Sequence, residues 1–449
     1  MAVEGLFDEL DRRLAGADAA LAEEYPGDRG VRQPVHTVYV PADRYDAGTV
    51  GTWAAEARAA LDRHGASATE MAEVLGLAPE LAGEVYERVR AKLEREPIED
   101  LRIDFEDGYG NRPDDEEDAA AIEAAQALAA TVKLGRTASS VGVGMTAQDV
   151  GAGPSPAKQA AEPAGGAVGV APPFHGLRIK SLEAPTRRRG LRTLDLFVGE
   201  LARAGAITDG FVITLPKVTS VEQVEAMVVV LEALEREYAV PILNFEIQVE
   251  TPQAILGSDG TALIARMIQA GAPRVTGLHY GTYDYSASLG VAAAYQSMEH
   301  PVADHAKDVI QLAAAGTGVF VSDGSTNVLP VGDAVHAAWR LHFRLVRRSL
   351  ARGIYQGWDM HPAQLPTRFV ATYLFYREGF DEAATRLRAY LGQGESGYLD
   401  EPATAAALAG FVLRGLECGA VDSAEIDKQI GVDLPGLAKL ARRRLPPER

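Results

Sequence analysis

Short apolar runs alternate with longer segments of helical periodicity through most of the chain. Eight runs are predicted strands, at 35–41, 101–107, 176–180, 211–216, 242–249, 274–279, 318–322 and 357–361. Between nearly all of them, apolar residues recur with the 3.6-residue period of an amphipathic helix. Strands that alternate with helices predict right-handed crossovers and a parallel sheet. Eight such units predict a (β/α)8 TIM barrel. A doubly wound open sheet is the alternative, although its G-x-G-x-x-G fingerprint is missing after the first strand.

The pattern changes before, within and after these eight units. We predict an N-terminal helical segment outside the core at residues 1–34. Residues 35–365 are predicted to form the barrel, which is the catalytic domain. A Gly-, Ala- and Pro-rich stretch at about 135–175 predicts a flexible insertion. Residues 366–449 predict a C-terminal helical extension, which begins with two helices at 368–378 and 381–391.

Composition narrows the class of partner. The chain has 449 residues with 44 Lys and Arg against 63 Asp and Glu, so its formal net charge is -19. Nucleic acids and anionic membranes attract basic surfaces, so neither is expected as a partner. Cys418 is the single cysteine, and the first residues lack the basic and apolar regions of a secretory signal. We therefore expect a cytoplasmic protein without disulfides.

Charged residues collect where the predicted strands end, which is where a TIM barrel places its active site. Glu250 ends the fifth strand, and Asp284 follows the sixth. Two carboxylates, with water and substrate oxygens in the remaining positions, are typical of a Mg²⁺ site and also suit Mn²⁺. Arg178 lies in the third strand, and its planar guanidinium suits the carboxylate of an anionic substrate.

Several motifs at these strand ends resemble, in order and spacing, those of the citrate lyase beta subunit-like family. More broadly, they resemble the HpcH/HpaI aldolase superfamily of pyruvate- and phosphoenolpyruvate-type barrels. The similarity runs from about Val35 to Gln364, and the chain resembles a divergent subfamily. The matching motifs are Val40-Pro41-Ala42, Asp104-Phe105-Glu106-Asp107, the Arg178 strand, Leu215-Pro216-Lys217-Val218, Val249-Glu250-Thr251, Gly281-Thr282-Tyr283-Asp284 and Met360-His361-Pro362-Ala363-Gln364.

The resemblance implies a Mg²⁺-dependent carbon–carbon lyase or aldolase that acts on a 2-oxo acid or hydroxy acid through a metal-stabilised enolate. Glu250 and Asp284 would hold the metal, and Arg178 would bind the carboxylate or the enolate oxygen. Glu106 and Asp107 would orient metal-bound water. The remaining candidates are Lys217 beside the acids, His361 for proton transfer and Tyr283 for substrate binding. We also expect a homo-oligomer.

Other functions stay open at this point. Family members that use CoA thioesters carry an Arg-Ser pair at the start of the first strand, where this chain has His36 and Thr37. A free acid is therefore expected in preference to a CoA thioester, with a malyl- or citramalyl-CoA-type lyase as an alternative. A phosphoenolpyruvate- or phosphoryl-handling enzyme is the second alternative. It would need a phosphate-binding loop, and the sequence contains no P-loop. A non-catalytic binding protein is the third alternative, because fold by itself does not settle chemistry.

Overall fold

Eight parallel strands follow one another around a closed barrel in the computed structural model, which describes residues 4–142, 169–392, 397–398 and 400–441. The hydrogen-bonded order is β7-β6-β5-β4-β3-β2-β1-β8. A bridge between Ser322 and Gln356 joins β7 to β8 and closes the ring. The strands are β1 (His36–Pro41), β2 (Asp100–Asp104), β3 (Phe174–Arg178), β4 (Phe211–Leu215), β5 (Asn244–Val249), β6 (Val275–Tyr280), β7 (Phe320–Ser322) and β8 (Gly357–Asp359).

This order confirms the predicted (β/α)8 barrel. The alternative of an open, doubly wound sheet is wrong, because the strands follow one another in chain order and the bridge between Ser322 and Gln356 closes the ring. An open sheet would instead reverse its strand order at a switch point. All eight predicted strands exist, with ends that shift by a few residues.

Helices surround the barrel and extend beyond it. The described helices are α1 (Phe7–Glu24), α2 (Thr49–His64), α3 (Ala68–Leu75), α4 (Pro79–Arg95), α5 (Asp114–Gly142), α6 (Arg187–Ala204), α7 (Val221–Tyr238), α8 (Pro252–Ile255), α9 (Leu263–Ala270), α10 (Thr282–Ser288), α11 (Pro301–Ala314), α12 (Val335–Ala351), α13 (Leu365–Tyr390), α14 (Pro402–Cys418), α15 (Ser423–Gln429) and α16 (Leu434–Leu440). In the described part of the chain, no helix is long and apolar enough to cross a membrane.

Alternation along the strands separates an apolar outer layer from a polar interior. Successive side chains of a strand point to opposite faces. On β5, Phe245 and Ile247 are fully buried in the hydrophobic core, while Glu246 and Gln248 take the other face. TIM barrels usually fill this interior with Val, Ile and Leu. Charged side chains therefore extend through the inside of this barrel as far as its C-terminal end.

The two separate helices predicted at 368–378 and 381–391 are a single helix, α13, in the structure. It is one continuous helix of 26 residues, and buried Phe380 lies where the break was expected. Its first half packs in the barrel core through Phe369 and Tyr373. Its second half forms a separate hydrophobic cluster with α14, α15 and α16. The proposed boundary at 365/366 stays a prediction, since α13 is shared by both clusters.

The predicted insertion at about 135–175 lies mostly outside the described residues. Helix α5 continues to Gly142, so the stretch from 135 to 142 is helical and was wrongly assigned to the insertion. The described chain resumes at Gly169, whose N–H donates to the carbonyl of Ala47 at 3.0 Å. The described chain therefore resumes beside the segment that precedes α2.

Candidate active site

Lys217 lies at the centre of a group of carboxylates at the C-terminal end of the barrel. Its ammonium Nζ lies 2.5 Å from Glu106 Oε1, 2.9 Å from Asp107 Oδ2 and 3.1 Å from Asp284 Oδ2. Its backbone N–H donates to Glu250 Oε1 at 2.8 Å. One residue thus connects the ends of β2, β4, β5 and β6. The structure brings these five predicted site residues together.

The backbone of Lys217 adopts a conformation that side chains disfavour. Its φ is 51°, in the left-handed region, and a non-glycine residue there costs on the order of 1–3 kcal/mol. In this conformation the Lys217 N–H donates to Glu250 and its side chain reaches Glu106. Such strain is characteristic of functional sites, where the surrounding structure holds it in place.

Glu250 is the least solvent-accessible of these acids, at 1% exposure. Its Oε2 accepts a hydrogen bond from Gln248 Nε2 at 2.8 Å. A Cβ on Gly281 would lie 2.5 Å from the Cβ of Glu250, so glycine is needed at that position of the G-x-x-D motif. Burial raises the pKa of Glu250 to about 8; Glu106 and Asp284 add to the rise, and Lys217 opposes it. Burial, more than the neighbouring charges, therefore accounts for the raised pKa of Glu250.

Arg178 is held along one edge and lies beside two aromatic rings. Its Nε and Nη2 each donate to Asp104 at 2.7 Å, as a bidentate pair. Its Nη1 donates to Gln248 Oε1 at 3.2 Å. The guanidinium carbon lies 4.7 Å from the ring centre of Tyr39 and 5.7 Å from that of Trp358. These contacts fix the position and orientation of the guanidinium.

A cleft at this end of the barrel is lined by Arg178, Glu250, Asp284, Tyr39 and Trp358, among others. Two polar atoms on its wall, Thr282 Oγ1 and Trp358 Nε1, are buried without a hydrogen-bond partner among the described residues. Buried polar atoms are normally satisfied. These two atoms are therefore exceptions among the described residues.

The donor set fits a hard divalent cation. Glu250 and Asp284 offer carboxylate oxygens, and a bound cation would stabilise the ionised form of Glu250, whose pKa burial raises. Within the described residues, no three His, Cys, Asp or Glu side chains are grouped to hold an ion. The protein would therefore supply two carboxylates and leave the other positions to water and substrate, as is typical of Mg²⁺. The Lys217 ammonium would share Asp284 with the ion.

His361 and Tyr283 lie apart from the carboxylate group. His361 Nδ1 accepts from the Ala363 N–H at 3.1 Å and so caps the turn that precedes α13. Burial lowers the pKa of His361. The hydroxyl of Tyr283 donates to the carbonyl of Ser325 and accepts from the N–H of Asn327, although the ring lines the cleft. The catalytic role of His361 and the substrate role of Tyr283 stay predictions.

Four residues that shape the site were given no role in the sequence analysis: Asp104, Gln248, Tyr39 and Trp358. Asp104 and Gln248 hold the guanidinium of Arg178, and the two aromatic rings lie beside it. Strand alternation was the available signal, because it places Gln248 on the same face of β5 as Glu250. Nothing in the sequence pattern indicates that the two rings lie next to an arginine.

Solved structures share this fold. A citrate lyase from Burkholderia xenovorans LB400 aligns with a TM-score of 0.52 and 16% identity, over 94% of this chain and 95% of that one. At this identity the similarity establishes the fold alone. It confirms the structural resemblance to citrate lyase-type barrels that the motifs predicted.

Two further structures align with lower scores. The malate synthase of Haloferax volcanii, in a magnesium and glyoxylate complex, has a TM-score of 0.45 and 12% identity over 75% of this chain and 74% of that one. The citrate lyase beta subunit of M. tuberculosis, complexed with oxaloacetate and magnesium, has a TM-score of 0.40 and 16% identity over 78% and 99%. Among curated proteins, no sequence matches the chain. A family described as a domain of unknown function, DUF6986, matches residues 14–152 and 149–445.

Proposed function

The chain belongs to the DUF6986 family, and we propose that it is a Mg²⁺-dependent carbon–carbon lyase of the aldolase type. Its substrate would be a small 2-oxo acid or a related hydroxy acid. The observation that carries the proposal is the geometry of the cleft, where Lys217 joins buried Glu250 to Asp284 and Arg178 lines the same wall. A buried carboxylate with a shifted pKa, placed in a cleft beside a specific charged partner, is characteristic of an active site.

Each residue has a role that its contacts support. A Mg²⁺ or Mn²⁺ ion held by Glu250 and Asp284 would supply positive charge beside an enolate oxygen. Arg178, held in place by Asp104, would attract the substrate carboxylate from the wall of the cleft. Glu106 would orient water or accept a proton near the ion, because its carboxylate is buried beside Lys217. Asp107, which is more exposed, would assist it from the rim.

The start of β1 favours a free acid over a CoA thioester. His36 Nδ1 donates to Asp359 Oδ2 at 2.7 Å, and its Nε2 accepts from the Glu99 N–H at 3.1 Å. Thr37 donates to Asp100 inside the barrel at 2.8 Å. Both residues are fully buried. Neither is therefore available to bind a nucleotide group at the cleft.

The metal site is tested by calorimetric titration of Mg²⁺ and Mn²⁺ into the wild type and Glu250→Gln. We expect binding to the wild type and its loss in the variant, since a neutral amide is a weaker ligand for a hard cation. Glu232→Gln is the matched control, because Glu232 lies half-exposed on α7 and pairs only loosely with Arg236, at 3.9 Å. Equal binding to the wild type and Glu250→Gln would refute the assignment.

The activity is tested by a retro-aldol screen over 2-oxo acids, hydroxy acids and acyl-CoA thioesters, read as release of pyruvate, glyoxylate or acetyl-CoA. Activity should require the metal. Arg178→Lys should lower it by about 10²-fold or more, because lysine keeps the charge but loses the planar fork. Turnover of thioesters alone would contradict the free-acid proposal, and metal-independent turnover would contradict the mechanism.

A further inference from the structure

Helix α1 carries an apolar stripe with the spacing of a coiled coil. Phe7, Leu10, Leu14, Ala17 and Leu21 recur at intervals of three, four, three and four residues. This is the spacing of positions a and d in a heptad repeat, with Phe7 at a. The stripe covers one face along the whole helix, which is about 27 Å long at 1.5 Å per residue.

No part of the described chain covers this stripe. None of the 18 residues of α1 is buried. Phe7 is 50% exposed, Leu10 46%, Leu14 51% and Leu21 62%. An isolated helix of this length is marginally stable in water, and helices in proteins gain most of their stability by packing an apolar face. The exposed stripe therefore requires a partner helix.

Charges beside the stripe select both the partner and its direction. In the same heptad, Arg13 occupies position g, and Asp11 and Asp18 occupy position e. In a parallel pair, a g residue faces the e residue five positions later on the other helix, so Arg13 would face Asp18 twice by symmetry. In an antiparallel pair, g faces g and e faces e, which places aspartates together. A second copy of α1 in parallel orientation is thus complementary.

A membrane surface fits this helix poorly. Interfacial helices carry Lys and Arg on the polar face and are attracted to anionic lipids. Helix α1 has six acidic side chains and two basic ones. Its charge would oppose binding to such a surface, which leaves a helical partner.

We propose that α1 pairs with α1 of a second copy of this chain as a parallel, two-stranded coiled coil. The carbonyl of Glu24 accepts from Gln269 Nε2 at 3.2 Å, and the Gly27 N–H donates to the carbonyl of Gly316 at 2.7 Å. Gln269 and Gly316 precede β6 and β7, at the N-terminal end of the barrel. The paired helices lie at the end opposite the cleft, so the proposal is independent of the proposed function.

The oligomeric state tests this pairing by sedimentation velocity over a concentration series. The wild type should reach twice the mass of the 47.8 kDa chain. Leu14→Asp and Arg13→Glu should each halve that mass, and the double variant Arg13→Glu/Asp18→Arg should restore it. Thermal unfolding of the barrel should be the same in all of them, because α1 buries no residue. A monomeric wild type, or a dimer that survives Leu14→Asp, would overturn the proposal.

The direction of pairing is tested by Leu21→Cys under mild oxidation. In a parallel dimer the two Leu21 positions face each other, and disulfide-linked dimers should form. In an antiparallel dimer they lie at opposite ends, much farther apart than the roughly 7 Å limit between Cα atoms that a disulfide allows. The natural Cys418 is buried and gives little background. A dimer that fails to cross-link would exclude the parallel arrangement.

Discussion

Two glutamates on one strand have opposite environments. Glu246 and Glu250 both lie on the inner face of the barrel, four residues apart, with 3% and 1% exposure. Burial favours the protonated form of Glu246, but Arg102 and His279 more than offset it, and the pKa of Glu246 is lowered. The pKa of Glu250 is instead raised to about 8. Burial is shared, so the neighbouring charges account for the difference.

Hydrogen bonding around Glu246 is complete. Arg102 donates from Nε at 3.1 Å and from Nη2 at 3.0 Å, Thr214 donates at 2.5 Å, and His279 Nε2 lies 2.9 Å away. Around Glu250, the Lys217 N–H and Gln248 are the only donors among the described residues. The N-terminal half of the barrel interior is thus a closed ion network, and the C-terminal half has unneutralised negative charge. This difference distinguishes a structural carboxylate from one that can accept a cation.

The largest change in the free energy of unfolding should come from removing one acid from the ion network around Glu246. Glu246→Gln leaves the charge of Arg102 buried with only Asp100 as its acidic partner. We expect a loss of about 3–5 kcal/mol in the free energy of unfolding, as is typical when one partner of a buried ion pair is removed. Urea unfolding at pH 7 in metal-free buffer measures it. A loss below about 1 kcal/mol would show that the ion network around Glu246 contributes little to the stability of the barrel.

Glu250→Gln should instead raise the free energy of unfolding in the same buffer. The folded-state pKa of Glu250, about 8, lies above its unfolded value of about 4.3. Its contribution to stability is therefore present below pH 4.3 and is lost as the pH rises through about 8. Glutamine does not titrate, so the advantage of the variant over the wild type should grow by on the order of 3–4 kcal/mol between pH 5 and pH 8.

Parallel urea titrations at pH 5 and pH 8 measure this gain. Saturating Mg²⁺ should remove it, because the ion stabilises the ionised carboxylate only in the wild type. A pH-independent difference between the two proteins would contradict the raised pKa.

The smallest effects should come from two threonines, one in each half. Thr214→Val removes a donor to Glu246 and should cost about 1–3 kcal/mol. Thr282 Oγ1 is buried without a partner in the described structure, so Thr282→Val should be neutral or stabilising by about 1 kcal/mol. The two substitutions are chemically identical, and their difference in thermal unfolding compares the two halves directly. Equal losses would show that Thr282 is satisfied in solution.

Much of the fold was predictable because the relevant signals are local. A short apolar run indicates a strand, and a 3.6-residue period of apolar positions indicates a helix. Both signals depend on residues that are close together in the sequence. The order of the strand-end motifs also placed Glu106, Lys217, Glu250 and Asp284 at one end of the barrel. The break predicted near Gly379 was wrong because burial of Phe380 keeps α13 continuous, and such tertiary packing overrides local preference.

The residue order is enough to predict which side chains reach the C-terminal end of the barrel, because strand length and alternation specify both end and face. The pairing of these side chains depends on the folded structure. Arg178 contacts Asp104 across 74 positions of the chain, and Lys217 contacts Glu106 across 111. Electrostatic energy depends on distance in space and on the surrounding dielectric. The sequence therefore identified Glu250 as a candidate ligand, and the fold distinguished it from Glu246.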